Sequence, residues 1–245
     1  MKTLVVIPTF NERENIRPSV AGILALKNEN IFLLIVDDAS PDETGKIADA
    51  LAVEYPKQIS VLHRKGKLGL GSAYLEGFRY GIAHGFEIIC EMDADGSHDP
   101  SALPTLLAGI GNGADVAIGS RRIAGGKIMG WGIHRHIMSA GASIFAQYVL
   151  GLKTKDATSG FRCYRNHVVR ALLEENIASD GYAFQEETLF HCERLKFNVV
   201  ELPIVFRDRT MGLSKLSWKE IPPFFIAISN LRSRYGRLEN DRPTL

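Results

Sequence analysis

The chain has 245 residues, 45% of them apolar and 23% charged, which is the composition of an ordinary globular domain and not of a disordered or fibrous chain. A net charge of +1 excludes a general polyanion binder, although the basic residues are unevenly spread. Cys90, Cys163 and Cys192 lie far apart and form no C-x-x-C pair, as expected of free, mostly core thiols in a reducing compartment.

Taken in order, Leu4–Val5–Val6–Ile7 reads as a buried strand ended by Pro8, with a helical pattern after it over about 12–27. A second strand over 31–36 ends at Asp37–Asp38; a helix over 43–54 and a strand over 59–63 follow. A helix over 70–84 leads to a strand over 87–92 that ends in acids, and 115–119 adds another strand. This alternation predicts parallel pairing with right-handed crossovers, and the continuous apolar runs predict a sheet covered on both faces. The second half is less regular: a helix over 134–150, a turn-rich segment over 156–162, a helix over 185–196 and a strand over 199–206. With no linker or repeat, residues 1–245 read as one α/β domain with a mostly parallel central sheet.

The apolar run at the N-terminus is about five residues, too short for a signal segment, and Ile221–Ile228 holds two prolines. The expected location is therefore cytoplasmic, with peripheral contact at the cytosolic face of a membrane or anchoring by a partner subunit.

In open α/β sheets, ligands bind beyond the carboxyl ends of the strands. Three strands here end in polar clusters, at Pro8–Glu12, Asp37–Ser40 and Asp93–His98. Glu91-Met92-Asp93-Ala94-Asp95-Gly96-Ser97-His98 delivers two carboxylates at alternate positions as the chain leaves the sheet, the oxygen ligands that a hard divalent cation prefers. The same acids could instead cap the turn and the helix that starts near Pro100. At Asp37-Asp38-Ala39-Ser40-Pro41-Asp42 one acid suffices to cap a helix; a second could accept from a ribose hydroxyl or base edge. Gly66–Gly71 matches neither phosphate-loop nor dinucleotide spacing and reads as a loop before a helix, His98 reads as a turn residue, and His63, His134 and His136 read as structural or surface residues.

V-I-P-T-F-N-E, V-D-D-A-S-P-D and M-D-A-D-G-S-H, in that order, resemble the nucleotide-sugar half of family 2 glycosyltransferases of the GT-A fold. Ile118–Arg121, Gly125–Gly126, Trp131 with Arg135, Thr158–Arg162 and Phe206-x-x-Arg209-x-x-Gly212-x-Ser214-Lys215 extend the resemblance to the dolichol-phosphate (polyprenol-phosphate) mannose synthases over about 4–216. The resemblance implies an inverting transfer of mannose from GDP-mannose to a polyprenyl or dolichyl phosphate, dependent on Mg²⁺ or Mn²⁺. It implies a nucleotide-sugar half over about 1–120, an acceptor and closing-loop half over about 121–216, and a C-terminal helix and tail over about 217–245 that would face a membrane.

Residue by residue, it places Pro8, Phe10, Glu12, Val36 and Asp38 on the nucleoside, Asp93 and Asp95 at the diphosphate, and Ala94 behind the nucleotide. Asp93, Asp95 and Ser97 would hold the metal; Arg121, Arg135 and Ser139 would meet the acceptor phosphate; Arg209 and Lys215 would close over the donor, which Arg121 also touches. Asp95, Arg121 and Arg135 carry the catalytic assignment. Phe10 stands where many relatives have Tyr, and Met211 where some have Arg. The acceptor phosphate is already anionic near neutral pH, so the chemistry calls for cations and no strong base. The alternative within the class is a UDP-sugar such as UDP-glucose as donor. A metal-dependent phosphatase would need an aspartyl nucleophile after the first strand, where Pro8-Thr9-Phe10 stands, and a binding-only subunit would be expected to lose an acid or arginine that this chain keeps. The segments 134–150 and 218–237 mix apolar and basic residues, the pattern of an interfacial surface or of core helices with basic ends.

Overall fold

A computed structural model describes residues 1–179, 181, 183–208 and 221–238. In chain order the first half forms β1 (Thr3–Thr9), α1 (Ile16–Leu24), β2 (Ile31–Asp37), α2 (Thr44–Glu54), β3 (Ile59–His63), α3 (Leu70–Ala83), β4 (Ile88–Glu91), α4 (Leu103–Gly111) and β5 (Val116–Ser120). The second half forms β6 (Lys127–Met129), α5 (Ile133–Leu150), β7 (Arg162–Arg165), α6 (Asn166–Glu174), α7 (Ala183–Arg194), β8 (Val199–Pro203), β9 (Val205–Arg207) and α8 (Ile221–Tyr235).

Seven strands form one sheet in the order β3-β2-β1-β4-β7-β5-β8, and β6 pairs with β9 in a small second sheet. All pairs in the large sheet are parallel except those of β7, which runs antiparallel to both β4 and β5. Side chains alternate across the strands. Val5, Ile7, Leu33 and Ile35 pack with Ile16, Leu51 and Leu106 of α1, α2 and α4. Leu4, Val6, Leu34 and Val36 pack on the other face with Phe78, Leu189 and Ile228 of α3, α7 and α8. Helix α3 lies directly on the sheet through glycine: a Cβ on Gly77 would stand 2.4 Å from Val6 Cγ1. Such overpacking costs about 1–3 kcal/mol.

The structure departs from the sequence reading in the second half. Between the turn-rich segment over 156–162 and the helix read from 185, where the sequence pattern assigns no element, lie β7 and α6. The strand read over 199–206 is two, because the chain leaves the large sheet at Pro203 and Ile204 N donates across to Ser120 O at 3.0 Å. The first helix is shorter than its pattern, ending at Leu24.

Candidate active site

The carboxyl ends of β1, β2 and β4 open onto one cavity of about 730 Å³. Of the residues singled out at those strand ends, Pro8, Phe10, Glu12, Asp38, Asp93, Ala94 and Asp95 line it. Val36 does not: its side chain points into the core between β2 and α3, fully buried. Asp38 is oriented by a buried ion pair with Arg64 and by the amides of Leu68 and Gly69 at 3.2 and 3.0 Å. The glycine-rich segment is thus a loop pinned to Asp38, and it carries Lys67 to 4.4 Å from the Phe10 ring centre. Capping of α2 falls to Asp42, which accepts from the Thr44 amide at 3.1 Å, while Asp37 takes the hydroxyls of Thr9 and Ser40 at 3.2 and 2.6 Å.

Beyond β4 the chain turns at Gly96, whose φ of +76° favours glycine. Asp93 Oδ1 accepts from the Tyr74 hydroxyl at 3.0 Å, and the Asp93 amide donates to His98 Nδ1 at 3.1 Å. His98 is buried, stacked on Phe161 at 5.1 Å and edge-on to Phe206 at 5.8 Å. Burial holds its pKa below the usual value, so it is a neutral ring that shapes the turn. Asp95 Oδ1 accepts from the Ser97 amide at 3.0 Å; Ser97 itself is 2% exposed and lies outside the cavity lining. Among the described residues no three His, Cys, Asp or Glu side chains converge as a metal site. Asp93 and Asp95 are the two carboxylates that the end of β4 brings to the cavity.

A buried polar cluster lies behind these acids. Arg162 is fully buried on β7 and donates to the carbonyls of Ala157, Ser159 and Gln185 at 2.7, 2.7 and 2.8 Å. It thereby shapes the segment 157–160, whose Gly160 would bring a Cβ within 3.9 Å of Asp93 Oδ2. Glu91 accepts from Gln185 Nε2 at 2.9 Å, and burial raises its pKa to about 7. Glu186 is fully buried with neither carboxylate oxygen hydrogen-bonded, and burial raises its pKa to about 8.

The arginines after β5 are held differently. Arg121 binds Asp156 with two nitrogens, Nε at 2.8 Å and Nη2 at 2.6 Å, and Nη2 also reaches Thr158 at 2.7 Å. Asp156 has no exposed surface; burial would raise its pKa, but Arg121 outweighs that and holds it below the usual carboxylate value. Arg122 donates to Ser139 at 2.9 Å. Arg135 pairs with Asp208 at 2.5 Å and lies 4.3 Å from the Trp131 ring centre, with side chains 24% and 35% exposed across the pair. Arg121, Arg135 and Ser139 are not among the cavity-lining residues. Arg209, Met211, Gly212, Ser214, Lys215 and Trp218 lie outside the described residues.

Sequence reasoning did not single out Arg64, Tyr74, Asp156, Asp208 or the wall formed by α8. The first four act through partners 26, 19, 35 and 73 positions away, a separation that no local motif carries.

A family profile described as "Glycosyl transferase family 2" matches residues 4–173. The chain is 41% identical over 241 residues to a polyprenol monophosphomannose synthase of Mycolicibacterium smegmatis, covering 98% of this chain and 90% of that protein. It is 45% identical over 217 residues to an undecaprenyl-phosphate mannosyltransferase of Micrococcus luteus, covering 89% and 88%. Among solved structures, glucosyl-3-phosphoglycerate synthase from Mycobacterium tuberculosis, in complex with Mn²⁺, UDP and its product, superposes with a TM-score of 0.67 at 19% identity, covering 98% of this chain and 81% of that one.

Proposed function

The chain belongs to glycosyltransferase family 2, and from that premise we propose that it transfers mannose from GDP-mannose to the phosphate of a polyprenyl lipid. The observation that carries this reading is the near full-length similarity to two proteins named for mannosyl transfer to such lipids, at 41% and 45% identity. The UDP-sugar alternative has no comparable support from the relatives.

In this reading Phe10, Glu12 and Asp38 receive the nucleoside, Asp38 being held ready by Arg64 and two loop amides. Asp93 and Asp95 would hold a divalent cation, Mg²⁺ or Mn²⁺, which would supply positive charge to the departing diphosphate. Two acids at one strand end, lining the same cavity as the nucleoside residues, fit that group. Ser97, committed through its amide to Asp95, acts by fixing that carboxylate.

Arg135 and Arg121 draw the acceptor phosphate to the reaction centre, and Ser139, which accepts from Arg122, is assigned with them by motif. Arg135 is the exchangeable partner: its half-buried contact with Asp208 gives way to the incoming phosphate, whereas the fully buried Asp156 keeps Arg121 in place. A phosphate oxygen attacks the anomeric carbon, the bond to the diphosphate breaks, and GDP leaves; the configuration inverts. No base is required because the nucleophile is already an anion. Arg209 and Lys215 remain assigned to the donor by motif alone.

The acceptor's location accounts for a surface feature. Ile133, Ile137, Ile144 and Tyr148 of α5 are 63–76% exposed and share one helix face. Phe225 and Ile226 of α8 extend the apolar surface, and Phe225 packs edge-on to Phe145 at 4.6 Å. Arg237 sits over Tyr148, and Arg232 and Arg234 occupy the last turn of α8. This apolar stripe with a cationic margin docks on the cytosolic face of an anionic bilayer. Among the described residues no helix is long and apolar enough to cross a membrane.

The test is transfer of label from GDP-mannose or UDP-glucose to a polyprenyl phosphate extracted into organic solvent, with Mg²⁺ present. Label from GDP-mannose alone is the expected result; label only from UDP-glucose replaces the donor, and none from either overturns the reading.

A further inference from the structure

Helix α3 carries one hydroxyl into an apolar cluster. Tyr74 is fully buried among Ala73, Phe78 and Phe184, and its ring lies nearly parallel to that of Phe184 on α7 at 5.9 Å. A phenylalanine would fill the same place without a polar atom to satisfy. The Tyr74 hydroxyl instead reaches Asp93 Oδ1 at 3.0 Å, from 19 positions away in the chain. A carboxylate only accepts, so the tyrosine is the donor. The two acids at the end of β4 are therefore oriented over different distances. Asp95 is held by the Ser97 amide of its own turn, and Asp93 by a side chain from another layer of the fold.

The hydroxyl is also fixed in space. The amides of Leu68 and Gly69, just before α3, donate to Asp38, and Gly77 lets the helix lie directly on Val6 of β1. Tyr74 stands one turn from the pinned start of α3 and does not line the cavity. Carboxylates that ligate a metal are commonly held by a further hydrogen bond, and removing such a partner costs about 10–100-fold in metal affinity. We propose that Tyr74 is a positioning residue for the cation: its hydroxyl fixes the rotation of the Asp93 carboxylate, and so the geometry in which Asp93 and Asp95 together meet a divalent ion. This rests on the cation assignment above and adds a residue that touches neither the ion nor a substrate. Because α3 starts at the loop held by Asp38, the nucleoside acid and the cation acid are both referenced to one helix.

The experiment is calorimetric titration of the whole chain with GDP, once in EDTA and once with saturating Mn²⁺, and it needs no turnover. In the wild type Mn²⁺ should tighten GDP binding. Tyr74→Phe keeps the ring and removes the donor: its GDP dissociation constant should match the wild type in EDTA and rise by about tenfold or more in Mn²⁺. Phe184→Leu disturbs the same packing but keeps the hydroxyl, and should lose less of the Mn²⁺ effect than Tyr74→Phe. An undiminished Mn²⁺ effect in Tyr74→Phe overturns the assignment. A loss in Phe184→Leu as large as that in Tyr74→Phe also overturns it, by making packing the cause. If the wild type binds GDP equally with and without Mn²⁺, the cation assignment falls and this inference with it. If UDP binds in place of GDP, the donor reading fails, and the same comparison made with UDP decides the role of Tyr74.

Discussion

The two charged sides of the site are built on opposite principles. At the ends of β1, β2 and β4, Asp38 and Asp95 each accept backbone amides from the adjoining loops, and with Asp93 they line open volume. After β5, the arginines are held by carboxylates of the same chain, Arg121 by Asp156 and Arg135 by Asp208. The first side is arranged for ligands before they arrive. The second is neutralised internally, and one of its two pairs is exposed enough to exchange partners. An enzyme that must gather two anionic substrates without holding a cluster of bare cations gains from this difference, because uncompensated like charges repel and bind anions indiscriminately.

The most severe test of the acid side is Asp95→Ala, which should lower kcat by at least about 10³-fold, the scale of removing charge stabilisation from a leaving group. Melting temperature should fall only by the cost of leaving the buried Ser97 amide unpaired, with the fold intact; near-normal turnover would remove the acids from the chemistry. On the other side, Asp156→Ala leaves Arg121 and Arg122 without their buried counter-ion and should cost about 3 kcal/mol in urea unfolding. A cost as small as that of an exposed pair would mean that Arg121 is not held as described. Arg135→Ala sharpens the contrast, with an expected rise of about tenfold in acceptor KM and little change in donor KM; equal effects on both would erase the division of labour.

The smallest effect concerns the buried acids behind the site. Folding raises the pKa of Glu186 from 4.5 to about 8, so the native state binds the proton more tightly than the unfolded chain. Its contribution to stability is therefore fully present below about pH 4.5 and is lost as pH rises towards 8. Glu186→Gln, which cannot ionise, should exceed the wild type by about 1 kcal/mol or more at pH 9 and match it near pH 4. Parallel unfolding free energies across that range would show that Glu186 does not titrate in the folded protein.

The N-terminal half was legible because its strands are uninterrupted apolar runs that end in polar residues, the signature of parallel strands covered on both faces. Strand β7 hid itself: Arg-Cys-Tyr-Arg over Arg162–Arg165 looks like surface, yet three of its four residues are buried. Its arginines are tolerated there because carbonyls satisfy them, those of Ala157, Ser159 and Gln185 for Arg162 and those of Ile110 and Ala114, at the end of α4, for Arg165. The acids that line the cavity at the ends of β1, β2 and β4 were readable as motifs, but the partners that orient them were not. Val36 shows the limit on the other side: the resemblance places it on the nucleoside, while strand alternation sends its side chain into the core.

The place of β7 in the sheet also has a consequence for how the chain is made. It sits between β4 and β5, and its residues near 163 pair with β4 residues near 90. While the chain emerges from the ribosome, β1, β2, β3 and β4 can assemble first, but β4 then presents a bare edge until more than seventy further residues have been synthesised. An open strand flanked by apolar faces is where premature pairing with another chain begins. The order of this sheet therefore predicts a slow closing step in folding, set by long-range contacts, and truncations ending between β5 and β7 should aggregate more readily than the whole chain.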